Sequence, residues 1–200
     1  MLMRLIAASS LFGAVAMAAA GAPAGADFRE DAPDGAYSID NSHTEVMFKV
    51  NHLGISNFYG RFNKVSGKVV VDSASPAESL ITLTIDAASV DTNDAGRDKH
   101  LKSADFFNTE EFATIGFESE KVTATGEKTL DVEGTLEMHG VKKAVTAKVE
   151  RTGFGTVGQF GTRIGYEARF IVKRSDFGMN YMPGLLGDEV EILVSLEGVK

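Results

Sequence analysis

The sequence contains no cysteine and no tryptophan, only four prolines and no cluster of basic residues. Without cysteine there are no disulfides, no thiolate metal sites and no cysteine nucleophile. An excess of acidic residues, net charge -8, argues against nucleic acid and against adsorption to anionic lipid headgroups, since both need basic footprints. Few prolines beside 21 glycines suggest a chain of many tight turns, which favours strands over helices. The 200 residues suit one compact domain with a real core.

Hydrophobic runs are also scarce, with one exception at the N-terminus, MLMRLIAASSLFGAVAMAAAGAPAGA. Arg4, the apolar run from Leu5 to about Ala20, and the small residues Ala24-Gly25-Ala26 have the form of a secretory signal with an A-x-A cleavage site. The run is too short and too rich in alanine to make a stable membrane anchor. The expectation is cleavage after Ala26, a flexible segment over 27–36, a single domain over 37–200, and a periplasmic protein. Losing Arg4 leaves 19 basic residues against 28 acidic ones, about nine net negative charges.

From Tyr37 onward, apolar and polar residues alternate with period two, the mark of a half-buried strand. Val46, Phe48 and Val50 share one face, as do Ile81, Leu83 and Ile85, then Ile115 and Phe117. Leu130, Val132, Leu136 and Met138 oppose Asp131, Glu133 and Glu137. Val141 to Val149, Ile164 to Val172 (through Tyr166, Ala168 and Phe170) and Val190 to Leu196 (through Ile192 and Val194) repeat the pattern. With Tyr37–Ile39 and Phe58–Val71 this makes about eight or nine strands. Short links such as His139-Gly140 and Thr125-Gly126-Glu127 imply sequential antiparallel pairing, which closes as a barrel or stacks as a sandwich. A barrel is favoured, because Gly60, Gly67, Gly116 and Gly134 interrupt strands where closure needs bends.

One short helix is expected around RDKHLKSADFFN, residues 97–108, capped by Asn93 or Asp94, with Lys102 placed to pair with Asp98. Arg97, His100, Leu101 and Ala104 fall on one side of it. A reactive role for this stretch lacks a nucleophile and an orienting third group. The four histidines form no HxH, HxxxH or HExxH spacing, so no metal site is expected. Ser42 and His43 are neighbours that would point to opposite strand faces. There is no GxSxG elbow, and no phosphate-binding glycine motif at a strand-to-helix junction. No catalytic residue and no cofactor are assigned. What remains is an apolar interior, which in an eight-stranded barrel is either packed solid or holds one small ligand.

The ordered blocks YSID, HTEVMFKVNHLGISNFYGRF, DTNDAGRDKHLKSADFF, FATIGFES, GTLEMHGVKKAV and VKRSDFGM resemble the YceI-like family of secreted polyisoprenoid-binding proteins, over about Tyr37 to Leu196. The resemblance implies an all-β, antiparallel, eight-stranded lipocalin-like barrel with one short covering helix, often a homodimer, holding a long-chain isoprenoid, quinone or similar amphiphilic lipid. On that reading the ligand lies against Val46, Phe48, Val50, Leu83, Ile85, Phe117, Leu136, Met138, Ala168, Phe170, Ile192 and Val194. RDKHL resembles the family's helix motif and would brace one end of the barrel. Arg97 would pair with a carboxylate such as Asp91 or Asp176, His100 would join the brace, and Leu101, Phe106 and Phe107 would seal the interior. A filled-core structural or stress-related barrel, and an enzyme acting on an isoprenoid lipid, are the alternatives.

Overall fold

The structure, a computed structural model, describes residues 26–27 and 33–200. The expected export leader, with its cleavage after Ala26, falls outside the described residues but for Ala26 itself. Ten strands make the wall: β1 Gly35–Ile39, β2 Glu45–His52, β3 Ser56–Phe62, β4 Val65–Val71, β5 Leu80–Asp86, β6 Thr114–Ala124, β7 Thr129–Met138, β8 Val141–Val157, β9 Thr162–Lys173 and β10 Leu186–Val199. A turn at Asp40–Thr44 joins β1 to β2 as one broken stave, and Asn63-Lys64 joins β3 to β4 as another. These two staves pair with each other through Val46↔Phe62 and Tyr37↔Val69.

From there each stave pairs with its successor in sequence, β4 with β5, β5 with β6, and so on to β9 with β10. The ring shuts because β10 also pairs with the first stave, through Val194↔Val46 and Gly198↔Ile39. The result is a closed eight-stranded antiparallel barrel, as expected. Closure leaves its wall no free edge.

The alternation does what the sequence implied. In β7, Val132, Gly134, Leu136 and Met138 are buried while Glu133 and Glu137 are exposed, because a pleated strand turns successive side chains to opposite faces. Rows of inward residues then meet around the wall, Val46 opposite Val194 opposite Ala168, and Phe48 opposite Ile192 opposite Phe170. The link between β7 and β8 is the two-residue hairpin His139-Gly140, with φ of 53° and 72°, the doubly left-handed turn that matches strand twist.

Two glycines make room for rings. A Cβ on Gly60 would lie 2.2 Å from the Phe48 ring, and one on Gly134 would lie 2.4 Å from the Glu118 carbonyl and 2.7 Å from the Phe117 ring. Each glycine lets a phenylalanine from the neighbouring stave lie flat over the backbone. Beside Gly134, β6 bulges between Ser119 and Lys121, which sharpens the local bend.

One end of the barrel carries the covering helix α1, Ala95–Leu101, within the long connection from β5 to β6. Asp94 caps it by accepting from Arg97 N at 2.8 Å. Asp98 does not pair with Lys102; its carboxylate accepts from Thr92 N and Thr92 Oγ1 at 2.8 and 2.5 Å. Among the described residues no helix is long and apolar enough to cross a membrane.

Gly60→Val should destabilise the barrel by about 1–3 kcal/mol, the usual range for overpacking, because Phe48 would have to leave its place. Urea denaturation measures the loss, and unchanged stability would show that the ring moves freely.

Candidate ligand cavity

The barrel interior holds two adjoining cavities. The deeper one, about 110 Å³, is lined by Val46, Leu83, Ile85, Phe117, Leu136, Met138, Ala168, Phe170, Ile192 and Val194, together with Phe62, Val69, Ile81, Ile115, Gly116, Val132, Ala147, Val149, Tyr166, Val172 and Leu196. The second, about 90 Å³, lies under α1 and is lined by Phe48, Val50, Leu101, Phe106, Phe107, Arg174, Met179, Leu186 and Val190. Phe62, Met138, Val172 and Ile192 belong to both walls. No polar atom presents surface to either cavity. All twelve residues expected to face the lumen therefore line one cavity or the other, ten in the deeper and Phe48 and Val50 in the outer.

The covering segment closes the outer cavity with aromatic rings. Phe107 stands edge-on to Phe48 and Phe62 at centroid distances of 6.5 and 5.3 Å. His100, Phe106 and Tyr181 form a second edge-to-face group at 4.9–5.4 Å, which ties the segment after α1 to the connection between β9 and β10.

With this geometry in hand, similarity to known proteins is specific. A YceI-like domain is matched over residues 37–198. A UPF0312 protein of Ectopseudomonas mendocina is 38% identical over 196 residues, covering 98% of this chain and 95% of that one. The chain belongs to the YceI-like family. The crystal structure of Burkholderia cenocepacia BcnA has the same fold, with a TM-score of 0.73 at 24% identity over 80% of this chain and 98% of that one. A polyisoprenoid binding domain from Saccharophagus degradans also shares it, with a TM-score of 0.63 at 19% identity over 82% of this chain and 97% of that one.

The brace of this YceI-like barrel differs from expectation at one residue. Arg97 pairs with neither Asp91 nor Asp176. It is exposed, donates through Nε to Thr92 Oγ1 at 2.8 Å and through Nη2 to Thr92 O at 2.7 Å, and lies 4.4 Å over the Phe58 ring. The first turn of α1 folds Arg97 back onto the residue that Asp98 already holds, so Thr92 is nearer than any carboxylate. Asp91 instead accepts from Asn63 Nδ2 at 3.0 Å and Arg61 Nη2 at 3.4 Å. Asp176 is exposed on a short 3-10 turn. His100 Nε2 contacts Asp105 Oδ2 at 2.8 Å.

Among the described residues the buried cation is Arg174, 6% exposed. Its Nε donates to Gly187 O at 3.0 Å, Nη1 to Met179 O at 2.7 Å and Nη2 to Leu186 O at 3.2 Å. A signal for it was present, because Arg174 continues the inward parity of Tyr166, Ala168, Phe170 and Val172. Phe62 and Val69 lacked such a signal. The break at Asn63-Lys64 resets the parity of the stave, so Phe62 and Val65 are both buried although three positions apart.

Ser42 and His43 also depart from expectation. They sit in the turn between β1 and β2, where strand parity does not apply, and Ser42 Oγ lies 3.1 Å from His43 Nδ1. The hub there is Asp40, which accepts from Ser42 Oγ at 2.6 Å and Arg163 Nη1 at 2.8 Å and meets His43 Nδ1 at 3.0 Å. One ring nitrogen faces both partners, so His43 does not relay a proton between serine and carboxylate as a hydrolytic triad requires. Asp40, His43 and Glu197 offer ligand atoms within 4.8 Å of one another, but the Arg163 guanidinium bonds to both carboxylates and supplies the positive charge. The Ser42 hydroxyl above all, then Arg163 and His43, hold the Asp40 carboxyl well below its usual range.

Two outcomes follow. Arg174→Met should cost about 3 kcal/mol, because it strands buried carbonyls, whereas Arg97→Ala should cost no more than about 1 kcal/mol at its exposed site; denaturant titration ranks them. Asp40 binds its proton more weakly folded than unfolded, so its contribution is complete above the ordinary carboxylate range near about pH 4 and is lost as pH falls through the lower folded value. The stability gap between the parent and Asp40→Asn should therefore narrow from pH 7 to pH 3.

Proposed function

We propose that this YceI-like barrel is an exported carrier that holds one long-chain isoprenoid, quinone or similar amphiphilic lipid by its tail. The observation that carries the reading is a pair of adjoining cavities without polar surface, whose walls include all twelve inward residues. Tyr166 and Arg174, the ionisable residues at their walls, turn no polar atom into the cavities, which favours binding over catalysis, since proton transfer needs a titratable group within hydrogen-bond reach. The name of the Saccharophagus degradans domain, a polyisoprenoid binding domain of the same fold, supports the ligand class. The signal-like N-terminus supports cleavage after Ala26 and a periplasmic location. A homodimer, no stable membrane anchor and no nucleic-acid partner complete the proposal.

Size sets a condition on it. An apolar cavity of about 150 Å³ accepts benzene, roughly 25 Å³ per carbon. At about 110 and 90 Å³, each cavity matches about four carbons by that ratio, a little less than one five-carbon unit. A longer tail requires the partition of Phe62, Met138, Val172 and Ile192 to turn aside, merging the two, and further lining side chains to repack around it. Met138 suits that task, being unbranched and free to repack. Each isoprene unit then gains roughly 3–4 kcal/mol gross from burial, much of it offset by ordering of the tail and by the competing membrane.

Mass spectrometry of lipid extracted from protein purified out of its native envelope should show one isoprenoid-tailed species per barrel. Ala168→Phe adds a ring to the deeper cavity without adding charge. It should fold and lose that lipid at least tenfold. A folded Ala168→Phe that keeps its full load would place the tail elsewhere, and a parent protein that yields no lipid would favour the filled-core reading.

A further inference from the structure

Outside the barrel, beside the outer cavity, lies a groove of about 500 Å³ walled by Asn51, Gly54, Ser175, Asn180 and Asp188 and by the connection Met179–Gly187. Arg174, Met179 and Leu186 border both this groove and the outer cavity, so three side chains separate an apolar interior from a polar surface. The connection is tied at a few points, where Leu53 N donates to Leu185 O at 2.7 Å and Tyr181 meets His100 and Phe106. β10 leaves β2 between Leu186 and Val190, where Gly187, Asp188 and Glu189 stand against Asn51 alone. Arg174 fastens it from the barrel side, donating to carbonyls at Met179, Leu186 and Gly187.

A guanidinium has five N–H donors, and Arg174 spends three on those carbonyls. It has no ion pair among the described residues. The outer cavity shows no polar surface, so Arg174 turns only its aliphatic stem that way. Its two remaining N–H groups are left for the groove, which Arg174 also borders. The charge of Arg174 is balanced within the groove by Asp188, whose carboxylate accepts from Ser175 N at 3.0 Å and Ser175 Oγ at 2.8 Å. Those bonds hold it ionised below its ordinary range. A site with one charge of each sign, two amides and a hydroxyl favours a neutral polar group. An anion meets Asp188, and a cation meets Arg174.

We propose that this groove is the head-group site and mouth of the barrel, taking an uncharged, carbonyl-bearing head over Arg174 while the tail passes inward between Arg174, Met179 and Leu186. The inference rests on the carrier reading and adds to it the position, orientation and charge class of the ligand's polar end.

The cysteine-free chain permits a direct test. A Cβ on Gly187 would lie 3.3 Å from Asn51 Cβ, close to disulfide spacing, so Asn51→Cys with Gly187→Cys clamps the connection to β2 when oxidised. The probes are three molecules built on the farnesyl skeleton: farnesylacetone, farnesoic acid and farnesyl diphosphate. With the mature protein, farnesylacetone should bind at least tenfold tighter than the diphosphate, and Asp188→Asn should tighten the diphosphate at least fivefold. Oxidation of the double variant should slow farnesylacetone exchange at least tenfold, and reduction should restore it. Equal binding of ketone and diphosphate, no response to Asp188→Asn, or equal exchange in the oxidised and reduced forms would overturn the inference and leave the carrier reading standing. Failure of all three probes to bind would remove the carrier reading itself, and this inference with it.

Discussion

Closure of the ring is the constraint on which everything else depends. β10 satisfies its backbone on one side with β9 and on the other with the stave of β1 and β2, and only then does every stave have two partners. A closed wall has a fixed inside, so the period-two alternation of each strand becomes a single apolar surface rather than one face of an open sheet. The two cavities follow from that geometry plus side-chain size. Where glycine stands inward, at Gly60 and Gly134, a phenylalanine from the next stave takes the space; where Ala147 and Ala168 stand inward, cavity remains.

The covering end shows how a polar device is attached to an apolar container. Rings do the sealing, through Phe107 against Phe48 and Phe62. Hydrogen bonds do the fastening, around Thr92 for the helix and around Arg174 for the connection to β10. Both arginines bond to backbone carbonyls and neither to a carboxylate. A buried cation held this way has three of its five N–H groups satisfied and its charge uncompensated at contact distance, which is costly without further function.

Much of this was legible in the residues alone. β7 and β10 announce themselves because one face meets water and the other does not, so period two is written in charge and hydrophobicity together. The twelve lumen positions follow from parity once the ring is assumed. Parity failed where its premise failed, at the turn that brings Ser42 to His43 and at the break that puts Phe62 and Val65 on the same side. Arg174 takes the buried place expected of Arg97 for a different reason. Helical spacing places Arg97 on a packed side but says nothing of depth, and depth depends on how the connection from Met179 to Gly187 crosses the barrel end, a non-local fact.

Every wall pairing but one joins staves that are neighbours in sequence, and the exception is the seam between β10 and the first stave. The ends of the described barrel meet there, with Lys200 Nζ donating to Asp34 O at 2.7 Å. The order in which the chain is threaded is therefore nearly arbitrary to the finished ring: joined at Asp34 and Lys200 and opened at the exposed link between β6 and β7, the same wall would form with a different seam. The seam alone carries the large loop-closure cost of a non-local pairing, so it governs how fast the ring assembles while contributing to its stability no differently from the other seven junctions.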